Sequence, residues 1–186
     1  MSSRKARPSA SFCLGQCDVV VTFNTDSLYS YAVSSSVQSV KKKILFICVH
    51  NSARSQMAAA LLNEMCGEFF EAQSAGLEPG TLNPLAVEAL QEIGIDISGN
   101  ETQSVFDVFK TAQLFAYAIT VCSESESKGC PIFAGVTKRL HWPFADPSQF
   151  IGTHEQRLAK TRELLKEIRA QIDEFCEEHC GLELQA

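Results

Sequence analysis

The stretch Ile44-Leu45-Phe46-Ile47-Cys48-Val49-His50-Asn51-Ser52-Ala53-Arg54-Ser55 governs how the chain reads: a short apolar run, a C-x5-R-S loop, then the helix-forming Ala58-Ala59-Ala60-Leu61-Leu62. A strand running into a helix N-terminus turns successive backbone N–H groups toward one point, and the helix dipole adds positive potential there. A tetrahedral oxyanion fits that point. The amides of Val49, His50, Asn51, Ser52, Ala53, Arg54 and Ser55 are the candidate cradle, and Arg54 adds two coplanar donors to the same anion. The field that holds an anion also favours the thiolate of Cys48, the candidate nucleophile. Asn51 and Ser55 are placed to steady the sulfur and the loop. A buried cysteine beside a surface arginine is the plainer alternative, but it leaves the full spacing between strand and helix unaccounted for.

Working outward, 186 residues with 45% hydrophobic and 20% charged side chains suit one catalytic domain with a sizeable core. A net charge of −6 argues against nucleic acid or an anionic membrane as partner, so an anionic substrate has to be drawn by a local field. No apolar run approaches the ~20 residues of a spanning helix, and Asp18-Val19-Val20-Val21-Thr22-Phe23 is too short for a secretory core. The cytoplasm is the expected compartment and a monomer the expected state. Eight cysteines (Cys13, Cys17, Cys48, Cys66, Cys122, Cys130, Cys176, Cys180) then read as free or catalytic thiols rather than a disulfide framework.

Residues 1–40 are Ser-rich with a basic start and fit the remainder poorly: a disordered arm or a mis-assigned start codon is expected, with a weak likeness to a transit peptide. Residues 41–180 form the expected catalytic domain and 181–186 a tail. From Lys41 onward strand and helix signals alternate, which predicts an α/β domain with a parallel sheet covered on both faces. Strands are expected at Lys43–Ile47, Phe70–Ser74, Ala116–Val121 and Val136–His141, with a turn at Ala75-Gly76. Helices are expected from Arg54 to about Gly67, from Pro84 to a stop at Gly94 with Leu85, Val87, Leu90 and Ile93 at helical spacing, and over His154–Cys180. The last presents Leu158, Leu165, Ile168, Ile172 and Phe175 on one apolar face.

Ligand sites in open α/β sheets gather outside the carboxyl ends of strands, where Cys48, Cys122 and the loop after His141 all fall. That loop carries Asp146-Pro147, whose acid is a candidate proton donor to a leaving oxygen and, on the plainer reading, a turn former. Cys122 and Cys130 flank the polar Ser123–Gly129 segment and read as a redox pair; two unrelated cysteines or a zinc site with His141 are the alternatives. Cys66 reads as a small buried filler, and Cys176 and Cys180, with His179 between them, as exposed spare thiols or a soft-metal site. No bound metal is expected, and Cys13 and Cys17 read as extra thiols.

The residues together carry a resemblance. Ile47–Ala58, Ser74-Ala75-Gly76, Gly94–Ser98, Ile119–Cys122, Cys130-Pro131 and His141–Pro147 resemble the thioredoxin-coupled arsenate reductases, which share the low-molecular-weight protein tyrosine phosphatase fold. The resemblance implies a three-layer open sheet of four parallel strands in the order 2-1-3-4 with helices on both faces. It also implies a mechanism: arsenate in the Cys48–Ser55 loop is attacked by Cys48 while Asp146 protonates the departing oxygen. Cys122 then attacks the Cys48 sulfur, arsenite leaves, and Cys130 attacks Cys122 to give a Cys122–Cys130 disulfide for thioredoxin to reduce. No bound cofactor is implied. Ala59 stands where some members place a potassium-binding Glu, so no potassium ion is expected. The alternatives are a phosphatase that forms a phosphocysteine at Cys48, and a non-catalytic thiol protein that binds arsenic or metal.

Overall fold

The computed structural model describes residues 40–123 and 136–180, apart from the side chains of Thr137 and Cys180. The chain divides between Ser39 and Val40. The order from there is β1 (Lys42–Cys48), α1 (Arg54–Cys66), β2 (Phe70–Gly76), α2 (Pro84–Gln91), α3 (Val105–Lys110), β3 (Phe115–Thr120) and β4 (Val136–His141). A 3-10 turn (Pro147–Gln149) and α4 (His154–Cys180) follow.

The apolar run in β1 is explained by its place. It pairs in parallel with β2 on one edge and β3 on the other, and side chains on both of its faces are buried. The sheet runs β2-β1-β3-β4, the order that the resemblance implied. Ile44 and Phe46 face a core shared with α1, α2 and α4, whereas Leu45 and Ile47 face a smaller one built with Val105 and Val108 of α3. Helices therefore cover both faces. Leu158, Leu165, Ile168, Ile172 and Phe175 all lie in the larger core, as their spacing in α4 required.

Local chemistry sets the boundaries. Pro84 opens α2 behind Asn83, whose side chain accepts from Leu85 N at 2.9 Å. That helix ends at Gln91, earlier than the expected stop at Gly94: Gly94 is left-handed at φ 87° and lets Ile95 N–H reach back to the Leu90 carbonyl at 3.0 Å. Ile93 therefore lies beyond the helix and is 47% exposed rather than part of its apolar face. β2 continues through Ala75 and Gly76, where a turn was expected, because Gly76 still pairs with Cys48. α3 was not foreseen; it is six residues long and capped by Ser104, whose hydroxyl accepts from Phe106 N at 3.2 Å.

Two thiol readings are corrected. Cys66 is not a plain filler and Cys176 is not an exposed spare thiol: the two are buried and joined by a disulfide, with Cα atoms 6.6 Å apart. Helices α1 and α4 pack side by side on the same face of the sheet, which brings their C-terminal turns together. That bond also removes Cys176 from any metal site with His179, whose ring stacks on Phe175 with centroids 4.3 Å apart. Cys13 and Cys17 lie outside the described residues.

Candidate active site

Four carbonyls of the loop between β1 and α1 are held from outside. Leu77 N donates to Cys48 O (3.1 Å), Glu78 N to Val49 O (2.8 Å), Gly80 N to His50 O (2.9 Å) and Asn83 N to Ser52 O (2.8 Å). The N–H and C=O of a trans peptide point in opposite directions. Drawing these carbonyls toward residues 77–83 therefore turns the amides of Val49, His50, Asn51 and Ala53 toward the other side, where Cys48 lies. Asn51 N shows the result directly, donating to Cys48 Sγ at 3.1 Å. Helix α1 starts just behind, and its N-cap, Ala53, has no capping side chain, so the positive end of the helix faces the same space.

Gly76 lets the clamp close. A Cβ there would lie 2.7 Å from Asn51 N, 2.8 Å from Val49 O and 2.9 Å from His50 C, all backbone atoms of the loop. At the loop's inner bend Asn51 is left-handed at φ 51° and fully buried. Its Nδ2 donates to Ser55 Oγ at 2.9 Å, and Ser55 Oγ lies 3.0 Å from Cys48 Sγ. Its Oδ1 accepts from Gln103 N at 2.9 Å and Gln56 Nε2 at 3.3 Å.

Arg54 is only 3% exposed and its Nη2 donates to Asp146 Oδ2 at 2.8 Å. Nη1 reaches the Phe144 carbonyl at 3.4 Å. The other oxygen of Asp146 accepts from Ser148 N at 2.9 Å and caps the 3-10 turn, so Asp146 is both a turn former and a neighbour of the loop arginine. Trp142 anchors this segment: its N–H donates to Thr120 O at 2.8 Å, and its ring packs 5.7 Å from Phe46 and 5.6 Å from Phe175. The His50 ring, by contrast, is exposed and meets Glu78 O at 3.1 Å on the outside of the loop.

Cys122 follows β3 as Cys48 ends β1. These strands are neighbours, with Ile47 opposite Thr120 and Val121 N donating to Ile47 O at 2.8 Å. Cys48 and Cys122 are 2% and 1% exposed and share the larger core cluster. Cys130 lies outside the described residues. His141, considered as a zinc ligand, instead pairs its Nδ1 with Thr120 Oγ1 at 2.8 Å.

Sequence reasoning missed the outer clamp and the amides beneath the loop, Gln56 and Gln103. The clamp works through backbone N–H groups, which any side chain except proline leaves in place, so only Gly76 and the Asn83-Pro84 cap left a readable trace.

Comparison with known proteins places this geometry. Residues 43–180 match the family of low molecular weight phosphotyrosine protein phosphatases. An arsenate reductase of Bacillus subtilis (strain 168) is 39% identical over 138 residues, covering 73% of this chain and 96% of that one. Among solved structures, a thioredoxin-dependent arsenate reductase of Corynebacterium glutamicum matches with TM-score 0.58 and 30% identity, over 81% of this chain and 66% of that one. An arsenate reductase in a phosphate-binding state matches with TM-score 0.59 and 25% identity, over 74% of this chain and 98% of that one. The chain thus belongs to the low molecular weight phosphotyrosine protein phosphatase family and groups within it with the arsenate reductases.

Proposed function

We propose that this chain reduces arsenate to arsenite through a three-cysteine relay that thioredoxin regenerates. Arsenate lies in the Cys48–Ser55 loop, its oxygens on the inward amides and on Arg54. The Cys48 thiolate attacks arsenic, and an arsenate hydroxyl that takes a proton from Asp146 in its acid form leaves as water. Cys122 then attacks the Cys48 sulfur: an S–S bond forms, the S–As bond breaks, and its electron pair stays on arsenic, which departs as arsenite. Cys130 attacks Cys122 and frees Cys48. The Cys122–Cys130 disulfide receives two electrons and two protons from the thioredoxin dithiol.

The observation that carries this reading is that Cys48 and Cys122 both lie buried at the carboxyl ends of adjacent strands, in a chain 39% identical to an arsenate reductase. A phosphatase on this fold has a use for Cys48, Arg54 and Asp146 but none for Cys122. A relay that must be re-reduced at every turnover needs a reduced donor, and the cytoplasm is the compartment this reading calls for. No helix among the described residues is long and apolar enough to cross a membrane.

The test is arsenate-dependent NADPH oxidation with thioredoxin and its reductase, using wild type, Cys48→Ser, Cys122→Ser and Cys130→Ser, with an aryl phosphate assay alongside. Loss of arsenate turnover in all three variants is the expected result. Aryl phosphate hydrolysis that needs Cys48 alone, with no arsenate turnover in wild type, would replace the reading with a phosphatase.

A further inference from the structure

Under the loop, a series of side-chain amides has its polarity fixed from outside. Gln103 N is a backbone donor, so the Asn51 atom it meets at 2.9 Å is the oxygen and the other terminal atom of Asn51 is its NH2. That NH2 donates to Ser55 Oγ at 2.9 Å and occupies a lone pair of the hydroxyl, whose hydrogen is then directed to Cys48 Sγ at 3.0 Å. Together with Asn51 N at 3.1 Å, the sulfur receives two donors. Gln56 is oriented in the same way. Its Nε2 donates to the Glu101 carbonyl at 3.1 Å and to Asn51 Oδ1 at 3.3 Å, leaving Oε1 to accept from Asn100 Nδ2 at 3.0 Å. Gln103 is anchored on β2, its side chain donating to Ser74 O at 2.8 Å and its carbonyl accepting from Gly76 N at 2.9 Å.

We propose that Gln56 is a positioning residue for the Cys48 thiolate, acting through Asn51 and Ser55 rather than by touching the reacting atoms. The proposal rests on Cys48 being the nucleophile. Gln56 is buried, so water cannot replace its amide, and its link to Asn51 Oδ1 polarises the next donor in a region of low dielectric. Asn100, at the outer end, is exposed, and solvent makes good only part of its loss, because a mobile water orients Gln56 Oε1 less firmly than the fixed amide does.

The experiment follows alkylation of the Cys48 peptide by iodoacetamide, read by mass spectrometry across pH. Variants are Gln56→Met, which keeps length and removes the amide, and the same change in a Ser55→Ala background. The charged and titratable groups around the loop, Arg54, Asp146, His50 and the neighbouring Cys122, are the same in all of them. Gln56→Met is expected to slow alkylation at neutral pH by roughly three- to tenfold, the scale of one weakened hydrogen bond to a charged group, and to move the profile to higher pH. In Ser55→Ala it is expected to add nothing. An unchanged profile, or an equal shift in both backgrounds, overturns the proposal. Should Gln56→Met not fold, Asn100→Ala carries the same test on an exposed residue: about a twofold slowing supports the proposal and none overturns it. Alkylation needs no arsenate, so this result and the arsenate-reduction reading fail independently.

Discussion

Replacing Gly76 with alanine puts a methyl group where the loop backbone already lies. The added carbon would lie 2.7 Å from Asn51 N, 2.8 Å from Val49 O and 2.9 Å from His50 C. Ordinary contact begins at about 3.5 Å, so β2 and the loop must part by roughly 0.8 Å, and no side chain can rotate away to absorb it. Stability falls by the ~1–3 kcal/mol typical of overpacking. The larger effect is on turnover, because the displaced atoms include amides proposed to hold the oxyanion; a shift near 1 Å costs on the order of 100-fold. Gly80→Ala is the control. Its methyl would meet His50 Cβ at 3.4 Å and nothing nearer, an ordinary contact that asks for no displacement of the loop. Steady-state arsenate reduction and a thermal melt on both variants decide the matter. A folded Gly76→Ala protein within about threefold of wild-type kcat/KM, on the scale set by donor placement, would refute the account of the clamp.

Two further outcomes follow from other contacts. Cys176→Ala opens a ring with a sequence separation of 110; chain entropy for a loop near that size is about 4.7 kcal/mol, so under non-reducing conditions Tm should fall by roughly 10–20 °C. A drop below about 3 °C would mean the bond is absent in solution or strained. Glu92, held below the ordinary value of 4.5 by its hydrogen bonds from Arg162, ties the end of α2 to α4. A lowered carboxylate adds stability above 4.5 that is lost as pH falls through the lowered value. The Tm gap between wild type and Glu92→Gln should therefore close on acidification; a gap that widens there contradicts the pairing.

What was legible in the sequence followed from burial. Ile44–Ile47 is apolar without alternation because β1 is covered on both faces, and the spacing from Leu158 to Phe175 is that of a helix with one face in the core. The C-x5-R-S spacing carried the loop because its chemistry lies in side chains as well as amides. α3 escaped because six residues hold too little periodicity to register, and Ile93 misled because an apolar residue just past a helix end continues the pattern. The Arg54–Asp146 pair spans 92 positions and the Cys66–Cys176 bond 110; such pairings exist only once the strands and helices have set which ends meet.

The Cys66–Cys176 bond also divides the chain topologically. The Cys48–Ser55 loop lies outside the covalent ring, while Cys122, Cys130 and Asp146 lie within it. A protease that cuts any one exposed link inside the ring leaves two fragments still tethered as a single molecule. Such a nicked protein runs as one band on a gel without reductant and as two once the bond is reduced, and where the cut falls between Cys66 and Asp146, reduction with unfolding parts the fragment that carries Asp146 from the one that carries Cys48.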